Sequence, residues 1–159
     1  MKKWLILLIC LVVLVISSSM TYEQQSILPE LEDLLANKPF EKQLSILKIP
    51  YWGTIVSVEE RGYFPFVEFL IRKLTHFMGF GCIALGLYFA WGKRRFAASI
   101  AIGGTATIAV LDEFRQSFTP GRTMSAQDVL VDTAGAIVFV SLVVALRKIL
   151  KNKRQKAQL

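Results

Sequence analysis

The sequence predicts an all-α polytopic membrane protein, a four-helix transmembrane bundle with one outer loop of about 50 residues that carries short amphipathic helices. Three observations predict it. Apolar residues make up 53% of 159 residues and the mean hydropathy is +0.47, high for a water-soluble domain. Four apolar runs approach the roughly 17–25 residues that a helix needs to cross a bilayer. The basic residues collect between and after those runs, as positive-inside topology requires.

The net charge of +7 does not indicate nucleic acid. Lys2 and Lys3, residues 93–95, and the cations from Arg147 to Lys156 form three tracts without an acidic residue. They hold 11 of the 19 Lys and Arg, and the other 8 share the rest of the chain with all 12 acidic residues. A nucleic-acid surface groups its cations on one polar face, whereas these tracts alternate with apolar runs. The length fits a single domain.

The predicted spans are residues 4–20, 70–91, 96–114 and 128–147, with an outer loop over 21–69 and a basic cytoplasmic tail over 148–159. Both termini are then cytoplasmic and the protein is multi-pass. The first run also fits a cleaved signal peptide, with Lys2-Lys3, an apolar core and Ser17-Ser-Ser19; the retained helix is the preferred reading. In the outer loop, Leu28, Leu31 and Leu35, with Pro29 as a helix start, and Phe40, Leu44 and Leu47 after Pro39 have helical spacing. Residues 54–58 read as a short strand ended by a Glu-Glu-Arg-Gly turn. Tyr51, Trp52, Tyr63, Phe64 and Phe66 suit an interfacial aromatic belt, and Pro65 suits the first residue of the next helix. Cys10 and Cys82 lie in apolar runs and read as packing residues.

This topology brings Lys73, His76, Asp112, Glu113, Gln116, Arg122, Asp128 and Asp132 to one membrane face. Lys73 and His76 are three apart, while Asp112–Gln116 and Asp128–Asp132 are four apart, so each pair shares a helix face. Asp132 precedes Thr133-Ala-Gly135, small residues that let helices approach closely, so it is expected to face protein. An acid below the headgroups is a functional candidate by default. Each of the others has a plainer reading. Asp128 favours the positive end of its helix dipole, with Ser125 as cap. Arg115 and Arg122 read as solvated loop charges, and a lone histidine such as His76 as an interfacial side chain with a satisfied hydrogen bond.

His76, Asp112, Glu113 and Asp132 are the candidates for acid–base chemistry. Lys73, Gln116, Arg122 and Asp128 are the candidates for holding a ligand, with the cations suited to phosphate or carboxylate. One histidine with three or four carboxylates could hold a divalent cation, but the spacing matches no known zinc pattern, so no metal is assigned, and the sequence does not identify a cofactor. There is no P-loop and no nucleophile elbow.

The segment Arg72-Lys-Leu-Thr-His-Phe77, followed by Asp112-Glu-Phe-Arg-Gln116, Pro120-Gly-Arg122, Asp128 and Thr133-Ala-Gly135, resembles the signature of the VanZ-like family of bacterial membrane proteins. The stretch from Ser17 to Gln25 and the aromatic loop before Glu68 resemble members from Gram-positive bacilli. The resemblance covers most of residues 17–140. It implies a link to resistance against the glycopeptide teicoplanin, without a settled reaction. It carries over Lys73, His76, Asp112, Glu113, Gln116, Arg122 and Asp128 as shared polar residues. Asp132 stands where the family often has Asn, and Phe80 where Tyr is common. The expected function is an outward-facing site that binds or processes a cell-envelope component, with membrane lipid, a lipid-linked wall precursor or the glycopeptide as partner. The alternative is a non-catalytic module that binds a partner protein or the drug, its polar layer acting as a staple.

Overall fold

The computed structural model describes residues 2–92 and 94–156. Its long helices are α1 (Lys2–Ser19), α5 (Tyr63–Trp91), α6 (Ala97–Gln116) and α7 (Ala126–Lys156). Between α1 and α5 lie the short helices α2 (Leu28–Leu34), α3 (Glu41–Leu44) and α4 (Val58–Arg61), and the strands β1 (Ile49–Tyr51) and β2 (Thr54–Val56).

Among the described residues, α5, α6 and α7 are long and apolar enough to cross a membrane, and the apolar stretch of α1 over Leu7–Ser19 is shorter. Only 22–33% of each long span's apolar window is buried within the chain. That leaves broad apolar faces of the kind lipid covers. The three helices pack on one another through small residues: Ala84, Ala97, Ala101 and Ala136 join Tyr88 and Val140 in one buried cluster. Helix α1 adds to this group through Leu7, which packs with Phe80, Ile83 and Ala109.

The closest approach is between α5 and α7. A Cβ on Gly135 would run into the Phe77 carbonyl oxygen, and one on Gly81 would lie 2.7 Å from the Phe139 ring. Hydrocarbon tails are as apolar as leucine, so close van der Waals contact between small residues holds such helices together.

The segment before α5 differs from the sequence expectation in several places. Residues 54–58 do not form one strand. β2 ends at Val56 and pairs antiparallel with β1, Tyr51 opposite Thr54. The connecting Trp52 and Gly53 both have positive φ, 52° and 71°, as a type I′ hairpin turn needs. Val58–Arg61 is helical because Ser57 Oγ accepts a hydrogen bond from Glu60 N and caps the helix. The fold is therefore mostly helical with one small hairpin. The helix after Pro39 is a single turn, since Phe40 is left-handed and 73% exposed. Helix α5 starts at Tyr63, two residues before Pro65. Tyr63 and Phe66 are not belt residues: both are buried. Phe66 packs with Val56 and Phe69, and Tyr63 donates to the Pro39 carbonyl at 2.9 Å. Helix α7 runs on through the basic segment to Lys156.

Candidate functional site

Helices α5 and α7 begin at the end of the molecule where α1 and α6 finish, so four helix ends build one polar layer. The periodicities of α5 and α7 place their polar residues as successive rungs. Lys73 pairs with Asp128. One turn further along, His76 Nδ1 lies 3.4 Å from Asp132 Oδ1. Phe77, the next residue of α5, and Gly135, three residues beyond Asp132 on α7, bring the two backbones together. Asp132 therefore faces protein, fully buried. The His76–Asp132 contact is within ion-pair range but lacks hydrogen-bond geometry, and both Asp132 oxygens are without a hydrogen-bond partner among the described residues. The His76 ring stacks on Phe80, 6.1 Å between centroids.

The first rung is elaborated by the hairpin. The Tyr51 hydroxyl accepts from Lys73 Nζ at 2.9 Å and donates to the Asp128 carboxylate at 2.8 Å. Lys73 Nζ also lies 4.5 Å from the centre of the Tyr51 ring, a cation–π distance. Burial pushes the Tyr51 phenol above its usual range, which keeps it a hydrogen-bond donor. Gln127 fixes the hairpin to α7, accepting from Trp52 N at 3.0 Å and donating to the Pro50 carbonyl at 3.3 Å. Ser125 Oγ accepts from Asp128 N at 3.3 Å, a long capping bond.

Asp112 is occupied differently. Ser18 Oγ of α1 donates to it at 2.5 Å and Gln116 Nε2 at 2.7 Å. Arg115 is not a solvated loop charge: it bonds Ser19 Oγ at 2.6 Å, the Val15 carbonyl at 3.1 Å, and Ser18 Oγ. Asp112 thus joins α1 to α6. Glu113 is buried, with Oε2 accepting from Ser125 N at 2.8 Å and Oε1 unpartnered among the described residues. Arg122 is likewise drawn in, donating to Gln116 Oε1 at 2.8 Å and to Gln25 Oε1. Burial lowers its affinity for its proton, although a guanidinium stays charged.

Three residues outside the sequence-derived candidates complete the layer. Gln25 receives Arg72 Nη1 at 3.3 Å as well as Arg122. Arg72 bonds Glu68 Oε1 at 3.2 Å and lies 3.9 Å from the Tyr22 ring centre. Glu68, 1% exposed, also accepts from Ile27 N at 2.9 Å and so ties the chain after α1 to α5. Glu68 and Arg72 are four apart, a signal available in the sequence; nothing local marks Gln25.

These groups surround a cavity of about 200 Å³ whose lining includes Arg61, Arg72, Lys73, Arg122 and His76. The carboxylate in that lining is Asp128, already engaged by Lys73 and Tyr51. Asp112, Glu113 and Asp132 lie behind the wall. The lining is therefore rich in cations, with Asp128 as its carboxylate. Among the described residues, no group of three or more His, Cys, Asp or Glu is placed to hold a metal ion.

A comparison with curated proteins and one with solved structures returned no match. The family model described as VanZ/LLP1 matches residues 3–147, nearly the whole chain with every residue of this layer, and the chain belongs to that family.

Proposed function

We propose that the polar layer is an outward-facing site that binds or processes an anionic cell-envelope component presented at the membrane surface, such as a lipid-linked wall precursor. Teicoplanin-type glycopeptide resistance would be its phenotype. In this reading α1 crosses with α5, α6 and α7, both chain ends are cytoplasmic, and the site sits at headgroup depth.

One observation carries the proposal. Arg61, Arg72, Lys73 and Arg122 converge on one cavity, with Asp128 as the carboxylate in its lining. Guanidinium groups suit phosphate and carboxylate because their planar donors match paired oxygens. His76, with Asp132 beside Nδ1, is the group in that wall suited to moving a proton.

The test is phosphate binding by purified protein in nanodiscs of zwitterionic lipid. Arg122→Ala should weaken inorganic phosphate binding by roughly tenfold, the scale of a lost charge-assisted hydrogen bond. Unchanged binding in Arg122→Ala and Arg72→Ala alike would refute the site.

A second reading has its own support. The Ser18–Asp112–Gln116 and Arg115 contacts staple α1 to α6 as a non-catalytic module would need. In that case the cavity is a by-product of the staple, and the exposed hairpin is the part that meets a partner protein or the drug.

A further inference from the structure

A second space adjoins the polar cavity. It is a crevice of about 220 Å³ between α1 and α5, walled by Ile9, Val13 and Leu14 on one side and by Gly79, Phe80 and Ile83 on the other. His76 lines both spaces. On the α1 side the boundary is marked by Ser17, which lines the crevice and whose carbonyl accepts from Gln25 Nε2 at 2.5 Å. Gln25 in turn lines the polar cavity. A cation-rich space and an apolar slot therefore meet at one side chain, with the slot running along the helices away from the polar end.

We propose that the crevice holds the hydrocarbon chain of the same phosphorylated amphiphile whose head enters the polar cavity, with the head–chain junction at His76. The proposal rests on the anion reading of the polar cavity and adds the ligand class: a chain bearing its phosphate directly at the polar–apolar boundary. Two features select this occupant over an unrelated apolar guest. The cations of the polar cavity fix where a negative head must sit, and the slot meets that cavity at His76. Gly79 borders it with nothing within 4 Å of the position a Cβ would take, so the slot is open where a chain leaving His76 would pass.

The same gap supplies the test. Gly79→Leu would project a side chain into the crevice from a Cβ that meets no atom within 4 Å. Protein in zwitterionic nanodiscs is titrated with inorganic phosphate and with farnesyl phosphate, empty nanodiscs subtracted. Gly79→Leu should weaken farnesyl phosphate by roughly tenfold, as expected for excluding a few buried methylenes, and leave inorganic phosphate unchanged. Arg122→Ala should weaken both. Equal farnesyl phosphate binding in Gly79→Leu and the unsubstituted chain overturns the crevice proposal and leaves the head site standing. Indifference of both ligands to Arg122→Ala and to Arg72→Ala overturns the anion reading itself. In the unsubstituted protein, a photoreactive farnesyl phosphate should crosslink within residues 9–17 and 75–83. Equal crosslinking there by the corresponding neutral alcohol would assign the slot to bulk lipid chains and overturn the coupling.

Discussion

Asp112 and Asp132 are both carboxylates in the same layer, and they meet opposite surroundings. Asp112 accepts from Ser18 and Gln116, while Asp132 faces His76 with no hydrogen bond to either oxygen among the described residues. The two should respond oppositely to loss of charge. Asp112→Ala leaves donors unpaired and should lower stability by about 1–3 kcal/mol, seen as a drop in melting temperature in detergent. Asp132→Asn removes a buried charge while keeping the shape, and matches the residue common in the family. It should fold at least as stably as the unsubstituted chain and, under the proposed function, keep most of the proposed glycopeptide resistance, whereas Asp132→Ala should lose it. Loss of resistance in Asp132→Asn at equal abundance would mean that the charge itself is used. At this scale the sequence showed which residues share a helix face. It could not show that Lys73 meets Asp128 and His76 meets Asp132, because that depends on how far α5 and α7 slide past each other.

The register of α5 against α7 is set where Gly135 lies on the Phe77 carbonyl. Any Cβ there meets backbone, which cannot swing aside. Overpacking costs about 1–3 kcal/mol, partly offset by the roughly 1 kcal/mol that Ala gains over Gly in a helix. Gly135→Ala should therefore lower thermal stability and disturb both rungs above it, weakening phosphate binding although it touches no ligand. Unchanged melting and binding would refute this contact as the register stop. The long helices were legible because apolar runs of membrane length leave little choice. The hairpin was not, because β1 is only Ile49–Tyr51 and its turn is Trp52-Gly53 in place of the common Asn-Gly. Helix α4 did have a signal, Ser57 three residues before Glu60. Strand propensity in residues 54–58 masked it.

For the whole molecule, the three basic tracts predict which parts face the cytoplasm. In a chain with Cys10→Ala and Cys82→Ala, single cysteines at Lys42 and Thr123 should react with an impermeant maleimide added to intact cells, and one at Asn152 should react only after lysis. Labelling of Asn152 from outside would invert the orientation and move the polar layer to the inner face. The existence of this layer was legible because helix ends with charges must share a depth. Its cation-lined interior was not, because Gln25, Tyr51 and Arg72 arrive from three separate segments.

The backbone contact between Gly135 and Phe77 lies next to His76 on α5 and three residues beyond Asp132 on α7, so the His76 end of the cavity is clamped between two helices. Its mouth is different: Tyr51, Trp52 and Arg122 reach it from a hairpin and a loop. Ordering a binding surface costs roughly 0.5–1.5 kcal/mol per side chain immobilised, and here that entropic cost falls on the exposed Trp52, because Tyr51 and Arg122 are already hydrogen-bonded. A guest altered where it touches the His76 end meets walls that cannot follow it and loses affinity steeply. A guest altered at the mouth meets the exposed Trp52 side chain, which can rearrange, beside Tyr51 and Arg122, which their hydrogen bonds hold. Selectivity should therefore be strict at the His76 end of the ligand and permissive where it meets Trp52.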